Sequence, residues 1–299
     1  MADLLDKFLI LSKKNSMMNT INHENFKLSS LKHNPTKKEI KIKNAVFGPN
    51  EIQLIMGPCA IESEKQLEEI ANEVKNFGIK IFRACAYKPR THPYSFQGMG
   101  EKGIQILSKI GEKYDLITET EVTDTRQVKM VSEKIDILRI GARNMQNFEL
   151  LKEVGKINNP VILKNGLSST IEEHLNAAEH ILSKGNPNVI LCTRGIRGFE
   201  PLERFTYDAL SIPILKTLTN LPIIADPSHP TGNKELVLPL ARAQIASGAD
   251  GLLVEVHNNP YQALTDSKQQ LNTNELPNFI EEIKKVAQAT NRKIDLTKK

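Results

Sequence analysis

Eight short apolar segments, each followed by a stretch with helical periodicity, constrain this chain more than any other feature. The segments span residues 52–56, 79–84, 115–120, 135–140, 161–163, 189–192, 222–225 and 251–256. Short apolar runs joined by helical crossovers are typical of parallel strands that are buried on both faces. Eight such units over about 250 residues predict an α/β fold, the (β/α)8 TIM barrel. A doubly wound open sheet is the alternative, and eight consecutive units favour the barrel.

Helix start signals support this alternation. Ser63 with Gln66 has the pattern of a capping box, and Ser169 with Glu172 predicts the start of a helix that runs toward residue 184. The other helices are predicted near residues 103–113, from about 125, and near 148–154, 207–218, 235–247 and 277–289.

The first 38 residues differ from the rest in charge and pattern. Residues 1–44 carry nine lysines against four acidic residues, which accounts for the whole net charge of +5. We therefore divide the chain into a basic, flexible leader over 1–38 and a catalytic barrel over 39–299. Residues 40–42 and 53–55 flank a Phe-Gly-Pro-Asn turn at 47–50, which predicts a short N-terminal hairpin before the barrel.

Composition excludes several classes of protein. Three cysteines in 299 residues do not make a disulfide framework, which favours the reducing cytoplasm. No apolar run approaches the ~20 residues that a membrane-spanning helix needs. The neutral body argues against nucleic-acid binding, although the basic leader is suited to an acidic partner. The composition therefore favours a cytoplasmic protein that neither spans a membrane nor binds nucleic acid.

Chemically useful side chains follow nearly every predicted strand. In a parallel barrel the carboxyl ends of the strands meet at one face, where the active site forms. The residues at these ends are Cys59, Arg83, Lys88, Arg90, Thr91, Glu119, Glu121, Arg143, Lys164, Arg194, Asp226, His229, Glu255, His257 and Asp266. Strands two, four, five and six supply cations, which suit phosphate and carboxylate groups. Strands seven, eight and one supply thiol, imidazole and carboxylate groups, which suit a divalent transition metal.

Simpler interpretations compete with these assignments. A cysteine after a strand is more often a packing residue than a metal ligand, and a strand-end arginine often forms a surface ion pair. Four cations on separate strand ends are harder to explain in that way, because an unpaired buried charge is costly. We assign supporting or capping roles outside the site to Asp226, Glu119 and His257, and core packing to Cys85 and Cys192.

Several longer motifs lie at the same strand ends. They are Gly57-Pro58-Cys59, Lys88-Pro89-Arg90-Thr91, Pro93-Tyr94-Ser95-Phe96-Gln97-Gly98, Ile140-Gly141-Ala142-Arg143-Asn144, Leu191-Cys192, Arg194-Gly195-Ile196-Arg197 and Asp226-Pro227-Ser228-His229. In this order they resemble the 3-deoxy-D-arabino-heptulosonate 7-phosphate (DAHP) synthases of the short bacterial and archaeal type I-beta branch. The resemblance covers about residues 40–285. It implies a transferase that condenses phosphoenolpyruvate with erythrose 4-phosphate and releases phosphate, the first step of the shikimate pathway.

The resemblance also implies a metal site and catalytic residues. Cys59, His229, Glu255 and Asp266 would bind a divalent ion, which is Mn2+, Fe2+, Co2+ or Zn2+. The catalytic candidates are Lys164, His229 and Cys59, and either Lys164 or His229 would move protons. The resemblance further implies a homotetramer.

Cationic residues receive substrate-binding roles from the same resemblance. The phosphate of phosphoenolpyruvate would be held by Arg143 and Arg194. Its carboxylate would be held by Arg83, Lys88 and Lys164. The phosphate of the aldose would be held by Arg90 and Thr91.

The chain departs from the family pattern at a few positions. Ala84-Cys85-Ala86-Tyr87 stands where Gly-Gly-Ala-Phe is usual. His92 replaces a serine, Thr193 a glutamate and Gly198 a threonine. These positions flank the residues that would bind substrate, so they bear on the rate and on the choice of aldose.

Two other functions stay open at this point. The related 3-deoxy-octulosonate 8-phosphate synthases use arabinose 5-phosphate, and their loop after strand two is typically one residue longer than Lys88-Pro89-Arg90-Thr91. A phosphosugar-binding barrel without catalytic activity would need the cations but not the metal ligands.

Regulated members of this branch carry an extra N-terminal domain, and residues 1–38 fall below the ~40 residues that fold unaided. We therefore expect no feedback inhibition by aromatic amino acids.

Overall fold

The computed structural model describes residues 21–297, in which an antiparallel hairpin precedes a closed parallel barrel. The hairpin pairs β1 (Ile40–Ile42) with β2 (Ala45–Phe47). The barrel strands are β3 (Glu51–Gly57), β4 (Ile81–Arg83), β5 (Ile117–Val122), β6 (Ile137–Ile140), β7 (Val161–Lys164), β8 (Val189–Thr193), β9 (Ile223–Ala225) and β10 (Gly251–His257). Each pairs in parallel with the next, and β10 returns to β3. The predicted (β/α)8 barrel is confirmed.

Helices connect successive strands of the barrel. Those described are α1 (Glu64–Asn76), α2 (Glu101–Tyr114), α3 (Thr125–Ser132), α4 (Phe148–Val154), α5 (Ile171–Leu182), α6 (Ser211–Leu218), α7 (Ser228–Thr231), α8 (Val237–Ala246) and α9 (Leu276–Ala289). Two short strands, β11 (Leu271–Asn272) and β12 (Lys293–Ile294), pair in parallel with β10 and β3. Within residues 21–297, no helix is long and apolar enough to cross a membrane.

The barrel interior contains an apolar layer to which each of the strands β3–β10 contributes. The layer consists of Ile55, Ile81, Ile117, Ile137, Ile162, Ile190, Cys192, Ile224 and Leu253. Stiff β-branched side chains of this kind fill the inside of such barrels. Ile81, Ile117 and Ile137 begin their strands, and Phe47 of the hairpin packs in the same cluster. The hairpin therefore closes the amino-terminal end of the barrel.

The hairpin differs from its prediction. Residues 40–42 pair with Ala45–Phe47 and not with residues 53–55, which belong to β3. Lys43 adopts a positive φ of 49°, so residues 43 and 44 form the tight two-residue connection that hairpins prefer.

Two helix starts also differ from their predictions. The capping box of α5 consists of Thr170 and Glu173, one residue later than predicted, because Ser169 Oγ instead donates to Gly166 O. Helix α6 begins at Ser211 rather than near residue 207. Asp208 causes the delay, since its side chain accepts from Leu210 N in a local turn.

Residues 21–38 lie against the barrel. Phe26 is fully buried in the main core cluster, and Leu31 N and Lys38 N donate to Leu218 O and Asn220 O. Residues 1–20, the first part of the predicted leader, lie outside the described residues. The division of the chain at residue 38 stays a prediction.

Candidate active site

A cavity of about 290 Å³ lies at the carboxyl ends of the strands. Among the described residues, nine basic side chains line it: Arg83, Lys88, Arg90, Arg139, Arg143, Lys164, Arg194, Arg197 and Arg204. The carboxylates along the same wall are those of Glu121 and Asp266. Such an excess of positive charge in a concave site attracts ligands that carry several negative charges, such as phosphate esters.

The structure brings all of the predicted site residues to this end of the barrel. Those that line the cavity are Arg83, Lys88, Arg90, Thr91, Arg143, Lys164, Arg194, His229 and Asp266. Cys59 and Glu255 are fully buried beside it and are hydrogen-bonded to Lys88 and Arg83. What each of these residues binds stays a prediction.

The end of β3 delivers the first of these residues. Gly57 has a φ of 154°, and a Cβ at this position would lie 2.0 Å from the carbonyl oxygen of Arg83. Only glycine fits this close approach of two strands. After Pro58, Cys59 N donates to Gln270 Oε1 over 2.9 Å, which anchors the backbone that carries the thiol.

Three potential metal ligands converge next to the cavity. One donor atom each from Cys59, Glu255 and Asp266 lie within 4.8 Å of one another. His229 Nε2 lies 3.6 Å from Glu255 Oε1, at the edge of this group. The Lys88 ammonium lies 2.7 Å from Cys59 Sγ and 3.0 Å from Asp266 Oδ2. Thiol, imidazole and carboxylate groups together form a donor set that fits a first-row divalent cation.

Ionisation in this group follows its electrostatics. Burial, followed by the nearby Glu255 carboxylate, raises the pKa of the Cys59 thiol well above its usual value. Burial would also raise the pKa of Glu255, but His229 and Arg83 outweigh that effect and lower it to about 2. The Glu255 carboxylate is therefore charged at neutral pH, whereas the Cys59 thiol needs more positive charge than Lys88 supplies, such as that of a metal ion, to ionise.

Asp226 holds two of the predicted catalytic residues in place. Its Oδ2 lies 2.5 Å from Lys164 Nζ and 2.7 Å from His229 Nδ1, while its Oδ1 accepts from the backbone N–H of His229. Burial would raise the pKa of Asp226, but His229 and Lys164 outweigh it and keep that pKa well below the usual range. The sequence had predicted only a supporting or capping role for Asp226, outside the site. Its position at a strand end, three residues before His229, was the available signal.

Two arginines of the cavity wall, Arg194 and Arg90, have buried donor atoms that are free to bind an anion, because no described residue accepts from them. Arg194 is 3% exposed, and its guanidinium stacks on the Phe205 ring at 3.7 Å. Its Nε and Nη1 atoms, and Nη1 of Arg90, have no hydrogen-bond partner among the described residues. Burial lowers the pKa of Arg194 to about 10, so it is still charged at neutral pH. Unpaired buried charge is unfavourable, and a bound anion would relieve it.

Arg83 is more fully paired than its predicted role implies. It donates to Glu255 Oε1 over 2.7 Å, to Cys59 O over 3.3 Å and to Cys85 Sγ over 3.1 Å. Its Nε atom has no partner within the described part of the chain. Arg83 thus connects the group of potential metal ligands to the cationic wall.

Arg139 on β6 is a third buried arginine of this region, and the sequence patterns did not identify it. It is 2% exposed, pairs with Glu119 at 2.8 Å and donates to Cys85 Sγ over 2.8 Å. The signal was a lone arginine within an apolar strand. Cys85, interpreted as a packing residue, also lines the cavity. By contrast, Cys192 lies in the apolar layer of the barrel.

Of the remaining departures from the family pattern, His92 lines the cavity, whereas Thr193 and Gly198 do not. Thr193 Oγ1 and Tyr207 Oη are 2.8 Å apart. A Cβ at Gly198 would lie 2.0 Å from Thr206 Oγ1, so a larger residue would require that side chain to move. His257 approaches Glu62 at 3.7 Å and, like Glu119, does not line the cavity.

Comparison with known proteins places this geometry in a family. The model of the DAHP synthetase I family matches residues 34–292. A phospho-2-dehydro-3-deoxyheptonate aldolase of Thermotoga maritima is 43% identical over 290 residues, which cover 97% of this chain and 85% of the relative. A 2-dehydro-3-deoxyphosphooctonate aldolase of Geobacter sulfurreducens is 30% identical over 269 residues, 83% of this chain and 97% of the relative.

A solved structure agrees with the sequence comparison. The crystal structure of the T. maritima phospho-2-dehydro-3-deoxyheptonate aldolase superposes with a TM-score of 0.87 at 43% identity, covering 90% of this chain and 79% of that one. The match includes the barrel that carries the cationic cavity. This chain belongs to the DAHP synthetase I family.

Proposed function

We propose that the protein condenses phosphoenolpyruvate with erythrose 4-phosphate to give DAHP and phosphate, as a metal-dependent enzyme of the shikimate pathway. The observation that carries this proposal concerns the described residues: nine lysine and arginine side chains line the cavity next to a cluster of thiol and carboxylate donors, with the His229 imidazole at its edge. The higher identity to a heptonate aldolase (43%) than to an octonate aldolase (30%) supports the seven-carbon product.

The metal site is part of the proposal. Cys59, His229, Glu255 and Asp266 would hold a Mn2+, Fe2+, Co2+ or Zn2+ ion, which supplies Lewis acidity toward the aldehyde or toward water when bound. Asp226 holds the His229 ring by its Nδ1 side, which leaves Nε2 toward Glu255. Carboxylates that orient a ligating imidazole in this way are common around metal sites.

The cations position phosphoenolpyruvate and neutralise the charge that leaves it. Arg143 and Arg194 hold its phosphate, since the Nε and Nη1 donors of Arg194 have no partner among the described residues. Arg83, Lys88 and Lys164 hold its carboxylate. Fixed donors of this kind align the methylene carbon with the aldehyde and stabilise departing phosphate.

The reaction forms a C–C bond and a C–O bond and breaks the C–O bond to phosphate. The methylene carbon attacks the aldehyde, water adds to the former enol carbon, and phosphate leaves as the added hydroxyl becomes the keto group. The new alkoxide gains one proton, and the water loses both of its protons, of which phosphate takes the second. Lys164 and His229 are the groups we assign to these transfers, because both line the cavity and both touch Asp226 Oδ2.

The aldose is selected by the loop after β4. Arg90 and Thr91 line the cavity and would grip the aldose phosphate, while the potential metal ligands lie at the aldehyde end. Pro89 fixes its own φ and restricts Lys88 to extended conformations, so the loop does not lengthen easily. An aldehyde misplaced by about 1 Å reacts on the order of 10²-fold more slowly.

Phosphate release by purified protein loaded with Mn2+ tests the proposal. We expect erythrose 4-phosphate to exceed arabinose 5-phosphate by at least about 10²-fold in kcat/KM. Equal use of the two sugars would favour the octulosonate reaction. No release with either sugar would favour a phosphosugar-binding barrel. Light scattering on the same sample tests the homotetramer that the family resemblance implies.

A further inference from the structure

Cys85 occupies an unusual place in the cavity wall. It stands where the resembled family usually has glycine, and its sulfur lies 3.1 Å from Arg83 Nη2 and 2.8 Å from Arg139 Nη2. The thiol also faces Glu121 Oε2, to which it donates over 4.0 Å. The proposed condensation gives this thiol no role.

Two buried guanidiniums, those of Arg83 and Arg139, donate hydrogen bonds to the Cys85 sulfur. Arg83 and Arg139 are at most 2% exposed, and each also pairs with a buried carboxylate, Glu255 and Glu119 respectively. Arg83 Nε nevertheless has no partner among residues 21–297. Guanidinium donors on a sulfur stabilise the thiolate, which is the reactive form of cysteine.

Access distinguishes Cys85 from the other two cysteines. Cys85 is 1% exposed and lines the cavity, so only a small reagent that enters the cavity reaches it. Cys192 lies in the apolar layer, and burial raises the pKa of its thiol to about 12. Cys59 is fully buried and its sulfur contacts Lys88 and Asp266.

We propose that Cys85 is a site of reversible oxidation by hydrogen peroxide or another small hydroperoxide. The thiolate sulfur gives an electron pair to one peroxide oxygen, the S–O bond forms, the O–O bond breaks and hydroxide leaves. Sulfur is thereby oxidised by two electrons to sulfenic acid, and peroxide is reduced. A thiol reductant reverses the change with release of water.

Oxidation changes the cavity at the point where substrate carboxylate would bind. The added oxygen fills space beside Arg83 and offers the two guanidiniums an acceptor that competes with an anionic substrate. The loss of turnover rests on the proposed function, whereas the modification itself does not.

The test follows oxidation and turnover in the same sample. The Mn2+-loaded protein is treated with hydrogen peroxide, trapped with dimedone and mapped by peptide mass spectrometry, which separates the three cysteines. We expect Cys85 to be labelled at least about tenfold faster than Cys192. Phosphoenolpyruvate should slow the labelling of Cys85, and dithiothreitol should restore activity in samples not treated with dimedone. Turnover before treatment tests the proposed function separately.

Two variants make the proposal falsifiable. Cys85→Ala, compared with its own untreated sample, should keep most of its activity after peroxide, whereas Cys192→Ala should be inactivated like the wild type. Arg139→Lys should slow labelling of Cys85, because it removes one planar donor from the sulfur while keeping the charge. Equal labelling of Cys85 and Cys192, or equal inactivation of Cys85→Ala and the wild type, would overturn the proposal.

Discussion

The two ends of the barrel are built from opposite kinds of side chain. The amino-terminal end is an apolar layer of isoleucines closed by Phe47 of the hairpin. The carboxyl end buries charge, and donors of Arg194 and Arg90 there have no partner within the described residues. Buried apolar area stabilises a fold, whereas unpaired buried charge destabilises it. One end of the molecule therefore supplies stability and the other sacrifices some of it for ligand binding.

Removing the metal should give the largest effect and should be confined to the charged end. Exhaustive chelation is expected to abolish phosphate release, and Mn2+, Co2+, Zn2+ or Fe2+ should restore part of it. Cys59→Ser should weaken metal binding and lower kcat by at least about 10³-fold, because the ion is the main source of Lewis acidity. Elemental analysis and turnover measure both. Full activity in protein without metal would contradict the assignment.

Cys192→Ser is the matched control, because it makes the same exchange of sulfur for oxygen in the apolar layer. A hydroxyl placed there without a good partner should lower the free energy of unfolding by about 1–3 kcal/mol. Metal content should not change. If Cys192→Ser lost its metal while Cys59→Ser kept it, the proposed ligand set would be wrong.

Phe47→Ala tests the apolar end of the barrel and should lower stability without lowering activity. Phe47 is fully buried, and loss of its ring leaves a cavity at the closed end of the barrel. The free energy of unfolding should fall by about 3–5 kcal/mol. At a temperature where the variant is folded, kcat/KM should stay close to the wild-type value. Denaturant titration and initial rates measure the two quantities, and a large loss of activity in folded protein would show that the ends are coupled.

Arg194→Met should separate stability from function within one residue. The thioether keeps contact with the Phe205 ring, but the substitution removes a buried charge whose Nε and Nη1 lack partners within residues 21–297. We expect the free energy of unfolding without substrate to hold or to rise by about 1 kcal/mol. We expect kcat/KM for phosphoenolpyruvate to fall about 10²-fold. Arg126→Met, at an exposed ion pair with Asp124, is the control that should change neither.

The closed barrel was predictable because each of its strands is a separate apolar run with a helix after it. The predicted metal ligands and substrate-binding residues lie close together for the same reason, since parallel topology places the carboxyl ends of all strands at one face. The hairpin register was not predictable. It depends on the left-handed conformation of Lys43, and a lysine at this position does not by itself predict a two-residue hairpin turn.

The buried polar networks were also not predictable from the sequence. Arg139, Glu119 and Cys85 are distant in the chain, and their contacts depend on which face of each strand points inward. Asp226 was visible as a strand-end carboxylate, but its two partners come from different strands and only the structure identifies them. Patterns along a chain predict elements, whereas pairings between elements require the register of the barrel.

The smallest effect we expect concerns one substrate only. Arg90 lines the cavity, and its Nη1 has no partner among the described residues, so it is poised to bind an anion. Because Pro89 restricts the backbone between Lys88 and Arg90, the loop limits how far Arg90 can move from the potential metal ligands. Arg90→Ala should raise the KM for the aldose by at least about tenfold, which corresponds to about 1.4 kcal/mol of lost phosphate binding.

The KM for phosphoenolpyruvate separates this role from a general loss of charge. It should change by less than about threefold in Arg90→Ala, because other cations are assigned to that substrate. Initial rates with each substrate varied in turn measure the two constants. Equal increases in the two KM values would mean that Arg90 acts on the electrostatic potential of the whole cavity and does not bind the aldose phosphate directly. The loop after β4 would then no longer explain the choice of aldose.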